Sequence, residues 1–396
     1  MPGSVIVAGA RTPVGKLMGT LSTVSAVDLG AHAIGAALAA VHLDPAAVEA
    51  VVMGHVVQAG AGPNPARQAA IRAGIPFTVP ASTVNKLCLS GLHAIALADL
   101  MIASGRHEVV VAGGMESMSG APHLLRGSRT GWRYGSTAVE DTLDRDALVC
   151  AFDGVSMGAA TERYQQPYAL TREEQDAYSA LSHQRAAHAQ ESGALSKEIT
   201  PVTVTGRRGE TVVDTDEGVR PGSTEESLGR LKPAFSGAGT ITAGNSSHLS
   251  DGAAAVVVMS AQRARREGLT PLAGIGAYGT VAGPDPSLLV QPAGAVRDAL
   301  SRDGRLKCAD LDLLEINEAF ASVALASVRE LDIPLDKVNV NGGAIALGHP
   351  VGMTGARLVL TLATELRRRG GGSGAAALCG GGGQGDALLL HVPTQA

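Results

Sequence analysis

Apolar residues occur along the chain in two kinds of run that alternate with each other. Short runs rich in Val, Ile, Leu and Ala, bounded by glycine or charged residues, predict buried strands. They lie at 5–10, 50–57, 108–117, 252–260, 272–280, 312–317, 338–340, 375–379 and 386–392. Longer runs of helix-forming residues predict helices, and Ser25 and Thr171 are suitable N-caps for two of them. These helices lie at 26–40, 66–73, 93–103, 156–163, 171–191, 291–303, 319–330 and 355–369.

This alternation predicts an α/β protein whose sheets are covered by helices on both faces. It is interrupted between residues 118 and 247, where charged residues, prolines and most of the tyrosines gather. We therefore predict an N-terminal unit at 1–117, completed by 248–270, and a C-terminal unit at 271–396. The segment 118–247 is predicted to be an insertion, and its two helices are expected to be exposed.

The two α/β units resemble each other in the order of their motifs. In both 90–114 and 354–381, a helix opens with a glycine in its first turn, ends at a glycine and leads into a strand that ends in Gly-Gly. A duplicated unit is the economical explanation. Duplication places the turn at Cys88 and the turn at His349 at equivalent positions, facing each other across a pseudo-twofold axis.

Composition limits the classes of protein to which the chain can belong. Its 396 residues predict more than one domain, and 45% hydrophobic against 17% charged residues predicts much buried surface, including subunit contacts. A net charge of −5, with short basic clusters only at predicted helix ends, argues against binding to nucleic acid. No apolar run is long enough to span a bilayer, and no leader pattern precedes the first strand. The four cysteines lack paired or metal-type spacing, so we expect a cytoplasmic protein without a metal site.

Cys88 lies in Val-Asn-Lys-Leu-Cys-Leu-Ser-Gly at 84–91, between a predicted strand end and a predicted helix. The positive end of the helix dipole and free backbone N–H groups favour a thiolate at such a turn, and the thiolate is the form that attacks carbonyl groups. The sequence is equally compatible with a small buried cysteine that only packs.

Three further segments contain reactive side chains. His349 lies among five glycines at 341–355 and is followed by Pro350; it is the expected base, although a Gly-rich phosphate loop is an alternative. Cys379 precedes four glycines whose N–H groups suit an oxyanion hole, but it is also compatible with a buried strand cysteine. Asn317 lies at a strand-to-helix junction, where capping is an equal interpretation, as it is for 244–251. Two cysteines with a histidine and an asparagine favour carbon–carbon bond chemistry over simple hydrolysis.

Taken together, these segments make the sequence similar to thiolases over essentially its whole length, and within them to the acetyl-CoA acetyltransferase (acetoacetyl-CoA thiolase) branch. The segments are 84–91, Ala-Gly-Gly-Met-Glu-Ser-Met at 112–118, Gly-Asn-Ser-Ser at 244–247, Asn-Glu-Ala-Phe at 317–320, Asn-Gly-Gly-Ala at 341–344 with Gly-His-Pro at 348–350, and Cys-Gly-Gly-Gly at 379–382. The resemblance implies a five-layer αβαβα fold of two mixed-sheet halves related by a pseudo-twofold, with an inserted loop domain that binds coenzyme A (CoA) and carries the contacts of a homotetramer, a dimer of dimers.

The resemblance also implies roles for single residues. Cys88 is then the acyl-accepting nucleophile, His349 lowers the proton affinity of its thiol, and Cys379 is the acid and base for the second substrate. Asn317, through a water, and His349 form one oxyanion hole, and the N–H groups of Cys88 and Gly381 form the other. The substrate-binding positions implied are Met157, Arg220, Ser227, Phe235, Ala243, Ser247, Leu249, Ala319 and Phe320.

The implied reaction joins two acetyl-CoA molecules into acetoacetyl-CoA and CoA, or cleaves a short-chain 3-oxoacyl-CoA, with no permanently bound cofactor. Ser156 and His248 depart from the family pattern, and both are expected near the acyl pocket, so the acyl chain length is left open. A degradative 3-ketoacyl-CoA thiolase of broader chain length and a non-catalytic acyl-CoA or lipid carrier are the alternatives. A ketoacyl synthase has a second histidine where Cys379 stands, which argues against that class.

Overall fold

The structure is a computed structural model that describes residues 3–206 and 209–394. Its strands are β1 (Ser4–Arg11), β2 (Gly15–Lys16), β3 (Ala50–Gly54), β4 (Ala81–Val84), β5 (Val109–Ser117), β6 (His123–Leu124), β7 (Glu140–Asp141), β8 (Val202–Gly206), β9 (Gly209–Val213), β10 (Ser250–Ser260), β11 (Ala273–Ala282), β12 (Leu313–Ile316), β13 (Gly372–Gly380) and β14 (Gln384–Val392). The predicted units also include residues 1–2, 207–208 and 395–396, which lie outside the described residues.

The α-helices are α1 (Ala26–Ala39), α2 (Pro65–Arg72), α3 (Ser90–Ala103), α4 (Met157–Tyr164), α5 (Arg172–Glu191), α6 (Glu225–Gly229), α7 (Ala261–Arg266), α8 (Gln291–Asp303), α9 (Ala321–Leu331), α10 (Ala344–Leu347) and α11 (Val351–Arg368). The caps predicted at Ser25 and Thr171 are confirmed, the second as a complete capping box with Glu174. None of the helices in the two described ranges is long and apolar enough to cross a membrane.

One mixed sheet of ten strands runs in the order β12-β13-β14-β11-β1-β10-β5-β3-β4, with β2 paired to β10. The link between β11 and β1 is narrow, because only Val5 with Gly274 and Ile6 with Ala273 are paired there. The sheet therefore has two halves that meet at this seam.

The two halves repeat the same arrangement of strands. In the first half β4, β3 and β5 are parallel, and β5, β10 and β1 are antiparallel. In the second half β12 and β13 are parallel, and β13, β14 and β11 are antiparallel. This repeated order supports the predicted duplication, while the three-part division of the chain stays a prediction.

The strand predicted at 338–340 is wrong. Only Val338 makes a bridge, to Leu314 of β12, at the position that β4 occupies in the first half. The next residue, Asn339, has a left-handed backbone with φ of 48°. Its side chain bonds the N–H and the carbonyl of Ile316, at 2.8 Å each, and so takes the place of further ladder bonds.

Three apolar layers pack the helices against the sheet, and the middle layer joins the two halves. Helices α1 and α2 pack on the outer face of the first half, and α8 and α9 pack on the outer face of the second. Helices α3 and α11 lie between the two halves and share one core with both. The result is the layer order αβαβα that the resemblance implied.

The N-terminal ends of α3 and α11 touch through glycine. A Cβ on Gly355 would lie 2.3 Å from the backbone nitrogen of Leu92, and one on Gly91 would lie 2.8 Å from that of Ala356. Backbones this close tolerate no side chain at either glycine. The turns that precede the two helices, at Cys88 and His349, are therefore brought to the same place.

Helix α5 was predicted to be exposed, and this is wrong for half of its surface. Gln175, Asp176 and Tyr178 are buried although they are polar. Each has a polar partner in the core: Gln175 and Asp176 bond Thr240 and Asn245 at 2.9 Å each, and Tyr178 bonds a buried carboxylate. A polar helix face can be buried when most of its polar groups are hydrogen-bonded; here Oε1 of Gln175 has no partner among the described residues.

Candidate active site

Cys88 lies in a sharp turn between β4 and α3, as predicted. Leu87 before it has a left-handed backbone with φ of 52°, which is unfavourable for a branched side chain. Ser90 holds the turn in this conformation: its hydroxyl accepts from the N–H of Lys86 at 2.8 Å and donates to the carbonyl of Leu87 at 2.6 Å. The side chain of Asn85 also accepts from the N–H of Leu87, at 2.9 Å.

The ionisation of Cys88 differs from the prediction. Burial raises the pKa of the thiol to about 11, and the charge of Glu116 raises it further, while the N–H groups of Gly381 and of Cys88 itself lower it. The rise in pKa caused by burial is therefore larger than the fall caused by these N–H groups. The thiol keeps its proton at neutral pH, so its attack on a carbonyl requires a base.

His349 is placed to be that base. Burial, and to a lesser extent the charge of Arg357, lowers the pKa of its imidazole to about 3, so the ring is neutral and able to accept a proton. Its Nδ1 lies 2.7 Å from the hydroxyl of Thr354, which also bonds the carbonyl of Pro350 at 2.9 Å. With Nδ1 held in this way, Nε2 is the free atom, 3.4 Å from the side-chain nitrogen of Asn317.

Asn317 is not a helix cap, contrary to one interpretation of the sequence. It follows β12, its N–H donates to the carbonyl of Ala377 at 2.9 Å, and α9 begins only at Ala321. Its side chain is fully buried, and its Oδ1 has no hydrogen-bond partner among the described residues. A buried amide oxygen in this condition is costly, and such groups are typical of functional sites.

Cys379 lies at the end of β13, and its thiol is buried as well. Burial is the main cause that raises the pKa of the Cys379 thiol. A charge on the nearby Cys88 raises this pKa further, so the two sulfurs interact. Two residues on, Gly381 lies against the Cys88 turn: a Cβ there would be 2.6 Å from Met157 Cε and 2.9 Å from Leu87 Cδ1. The close packing keeps the N–H of residue 381 directed at Cys88.

A cavity of about 390 Å³ lies between the two thiols and His349. Asn317 does not line it, but its side-chain nitrogen lies next to His349 Nε2. Cys88, His349, Cys379 and Gly381 line the cavity. Of the predicted substrate-binding residues, those that line it are Met157, Phe235, Ala243, Ser247, Leu249, Ala319 and Phe320. Ser156 and His248, the two departures from the family pattern, line it too, together with apolar residues that the sequence had not indicated: Met118, Ala147, Leu148, Leu288 and Val351.

Arg220 and Ser227 do not line this cavity. The N–H of Arg220 donates to His183 at 3.2 Å, and Ser227 caps α6 together with Thr224. Their predicted contact with substrate stays a prediction. Among the described residues, no group of three or more His, Cys, Asp or Glu side chains is arranged to hold a metal ion.

Glu318 was not singled out in the sequence, although it is the neighbour of Asn317 in the same motif. Its buried carboxylate accepts from Tyr178 at 2.8 Å and Asn339 at 3.0 Å through one oxygen, and from Ser182 at 2.7 Å and the N–H of Ile345 at 3.0 Å through the other. It thus joins the Asn317 strand end to α5 and to the segment before His349. The signal that could have indicated it is the charge itself, since a carboxylate between apolar runs needs partners.

Glu116 is a second buried carboxylate beneath the site. It accepts from the N–H groups of Val56 at 3.1 Å and Val57 at 3.2 Å, and from that of Gly352 in the first turn of α11 at 3.0 Å. His55 lies 3.2 Å from the same carboxylate. A strand of the first half therefore holds the helix that follows His349 in the second.

Two thiols, a neutral imidazole and directed N–H groups in one cavity define an acyl-transfer site of the cysteine type. The chain belongs to the thiolase family. The family model described as thiolase, N-terminal domain matches residues 4–262, and that described as thiolase, C-terminal domain matches residues 269–392. The resemblance drawn from the sequence is therefore confirmed.

Relatives and solved structures agree over the whole chain. A probable acetyl-CoA acetyltransferase of Mycolicibacterium smegmatis is 56% identical over 98% of this chain and 100% of that protein. The acetyl-CoA acetyltransferase of Cupriavidus necator is 50% identical over 93% of this chain and 94% of that one. The crystal structure of the Bacillus anthracis acetyl-CoA acetyltransferase is 42% identical, with a TM-score of 0.96 over 99% of both chains.

Proposed function

We propose that the protein catalyses the reversible Claisen condensation of two acetyl-CoA molecules to acetoacetyl-CoA and CoA, through an acyl-Cys88 intermediate. Membership of the thiolase family makes it an acyltransferase that uses CoA thioesters. The observation that carries the proposal is one cavity lined by both thiols, Cys88 and Cys379, together with His349.

In the first half-reaction Nε2 of His349 takes the proton of Cys88, and the thiolate attacks the carbonyl of acetyl-CoA. The tetrahedral oxyanion is held by the N–H groups of Cys88 and Gly381, which are already directed at this sulfur. The bond to the CoA sulfur then breaks, CoA takes the proton from His349, and an acetyl group stays on Cys88.

In the second half-reaction Cys379 gives its proton to His349 and becomes the base. Once Cys88 is acylated it can no longer ionise, so no charge there opposes ionisation of Cys379. The Cys379 thiolate takes a methyl proton of the second acetyl-CoA, and the enolate oxygen is held by protonated His349 and, through a water, by Asn317. The enolate attacks acyl-Cys88, the new carbon–carbon bond forms, and Cys88 leaves as a thiolate that recovers the proton from His349.

The walls of the cavity support a short acyl group. Met157, Leu288 and Phe320 line it, and Phe320 packs edge-on against Phe235 with ring centroids 6.1 Å apart. A series of 3-oxoacyl-CoA esters of increasing chain length, assayed for CoA-dependent cleavage, tests this. Highest kcat/KM for the four-carbon ester is expected, whereas rising values at eight carbons and beyond would favour the broader degradative thiolase.

A non-catalytic carrier is the alternative of another class. A carrier needs the cavity but has no use for two thiols, a base and a buried amide in the same place. Mixing the protein with acetyl-CoA and following release of CoA separates the two ideas. CoA release with acetylation of Cys88 is expected, and tight binding without any thioester exchange would support the carrier.

Exposed apolar residues of the insertion support the homotetramer. Trp132, Tyr134 and Val139 are 47%, 102% and 60% exposed in one short segment. A cluster of this kind is typical of a contact surface between subunits. Light scattering on the purified protein, with Trp132→Ser as the variant, tests whether four chains associate through this segment.

A further inference from the structure

A polar cluster connects the Cys88 turn to the second half of the molecule, away from the cavity. Nζ of Lys86 lies 2.7 Å from Oδ1 of Asp386, 3.2 Å from the hydroxyl of Thr280 and 3.3 Å from that of Tyr278. Thr280 also donates to Asp386, at 2.8 Å. The ion pair is therefore not isolated, because a hydroxyl group of β11 bonds both of its members.

The two members of the pair belong to the two thiol-bearing segments. Lys86 stands two residues before Cys88 in the first half of the sheet. Asp386 stands on β14, opposite Leu378, the neighbour of Cys379, and the β13–β14 hairpin carries Gly381. The link between Lys86 and Asp386 thus crosses from the nucleophile turn to the hairpin that holds the second thiol and an oxyanion N–H group.

Packing alone does not explain why a charged residue, Asp386, stands at this buried position of β14. Asp386 is fully buried in a strand whose following residues, Ala387 to Leu390, are apolar and buried. One of its oxygens, Oδ2, has no hydrogen-bond partner among the described residues. A buried carboxylate is costly even when it is paired, and an apolar residue would give the strand the same pattern at lower cost. Its place beside both thiol segments points to a role in their geometry.

We propose that Lys86 and Asp386 are positioning residues that fix the Cys88 turn against the Cys379 hairpin. The proposal rests on the roles given above to Cys88, Cys379 and Gly381. Acylation of Cys88 requires the N–H of Gly381 from the other half, so it depends on this alignment. Removal of a methyl proton by Cys379 uses neither the N–H of Cys88 nor that of Gly381, so it does not depend on this alignment.

The experiment measures the two events separately in Lys86→Met. Acetylation of Cys88 is followed by rapid quench and intact mass. Methyl-proton abstraction is followed by exchange of deuterium into acetyl-CoA on enzyme whose Cys88 has first been fully acetylated. The acetylation rate and the kcat of condensation are expected to fall about 10- to 100-fold, as misplacement of a reacting group does, while methyl exchange keeps the wild-type rate. Lys86→Arg, which retains the ion pair, is expected to restore acetylation.

Two further variants keep the test valid if Lys86→Met folds poorly. In the double variant Lys86→Met/Asp386→Asn no unpaired charge is buried, so its thermal midpoint is expected to recover while acetylation stays slow. Arg72→Met removes an exposed ion pair between α2 and α1, with Asp28 at 2.5 Å, and is expected to leave both rates unchanged.

The outcomes separate the proposal from the function on which it rests. A parallel fall of acetylation and methyl exchange, or no change in either, overturns the positioning role while the wild-type enzyme still performs both events. A wild-type enzyme that neither acetylates Cys88 nor exchanges the methyl protons contradicts the proposed function itself.

Discussion

The turn at Cys88 and the turn at His349 occupy equivalent places in the duplicated fold, yet they are held in different ways. The Cys88 turn is held from within, by Ser90 and Asn85, which bond its own backbone. The His349 turn is held from outside: the N–H of His349 donates to the hydroxyl of Ser250 and to the carbonyl of His248, at 3.2 Å each.

This difference explains how two copies of one unit make a single site. The nucleophile turn is a local structure that its own sequence specifies. The base turn takes its position from β10 and, through Glu116, from β5, both of which belong to the first half. The imidazole is therefore fixed relative to the half that carries the nucleophile, which the short distances of acyl transfer require.

The largest expected effects come from removing one thiol at a time, either from the Cys88 turn or from the hairpin that carries Cys379. Cys88→Ala is expected to lose acetylation and to lower kcat by about 10⁴-fold or more. Cys379→Ala is expected to become acetylated on Cys88 at the wild-type rate but to lower condensation by on the order of 10³-fold, the size of a lost acid–base contribution. Rapid-quench mass spectrometry and steady-state assays measure both. Equal loss of acetylation in the two variants would contradict the division of roles.

The pH dependence of alkylation tests the protonated state of Cys88. Its pKa is raised from the ordinary 9.0 to about 11, so the thiolate fraction keeps rising between those values instead of reaching a plateau at the lower one. The rate of alkylation by iodoacetamide is expected to increase about 50-fold from pH 9 to pH 11, where half of the thiol is ionised, since only the thiolate reacts. A plateau at pH 8 would mean that the helix end outweighs burial. Cys379→Ala is the background for the measurement, and peptide mass analysis separates alkylation of Cys88 from that of the free Cys150 and Cys308.

Thr354 tests how the imidazole is oriented within the base turn. Thr354→Val keeps the shape of the side chain but leaves Nδ1 of His349 buried without a partner, and Thr354→Ser keeps the hydroxyl. A lost buried hydrogen bond of about 1–3 kcal/mol corresponds to a fall in kcat of roughly 5- to 150-fold in the valine variant. The serine variant is expected to stay near the wild type. If both variants lose activity equally, the imidazole is oriented by the packing of the whole side chain and not by the hydroxyl alone.

The sequence indicated which candidate residues meet in one cavity better than it indicated the contacts that hold them. Glycines, cysteines and a histidine in short motifs identify the four reactive segments, and periodicity identifies most strands and helices. Burial was harder to predict: the polar face of α5 and the carboxylates Glu116 and Glu318 are inside because partners from distant segments satisfy them. The protonation of Cys88 was mispredicted for the same reason, since desolvation depends on neighbours that are remote in sequence.

The glycine contact between α3 and α11 tests what brings the two turns together. Gly355→Ala places a Cβ 2.3 Å from a backbone nitrogen, so the helices must separate. Overpacking of this kind is expected to lower the free energy of unfolding by about 1–3 kcal/mol and to slow acetylation of Cys88. Gly35→Ala in α1 is the matched control, because a Cβ there meets nothing within 4 Å. Urea unfolding of both variants decides, and equal stability would refute the close contact.

The smallest expected effect comes from comparing one hydroxyl in each turn. Ser90→Ala removes two bonds that hold the left-handed Leu87. Ser250→Ala removes one of two acceptors of the His349 N–H, together with the bonds of the same hydroxyl to the carbonyl and Nδ1 of His248. Only one of these bonds reaches His349, so at about 1 kcal/mol for each net hydrogen bond Ser250→Ala is expected to slow acetylation roughly fivefold, and Ser90→Ala more than that. The same rapid-quench assay measures both. A larger effect from Ser250→Ala would mean that the externally held turn is the weaker of the two, and that the geometry of the site is set by β10 rather than by the nucleophile turn.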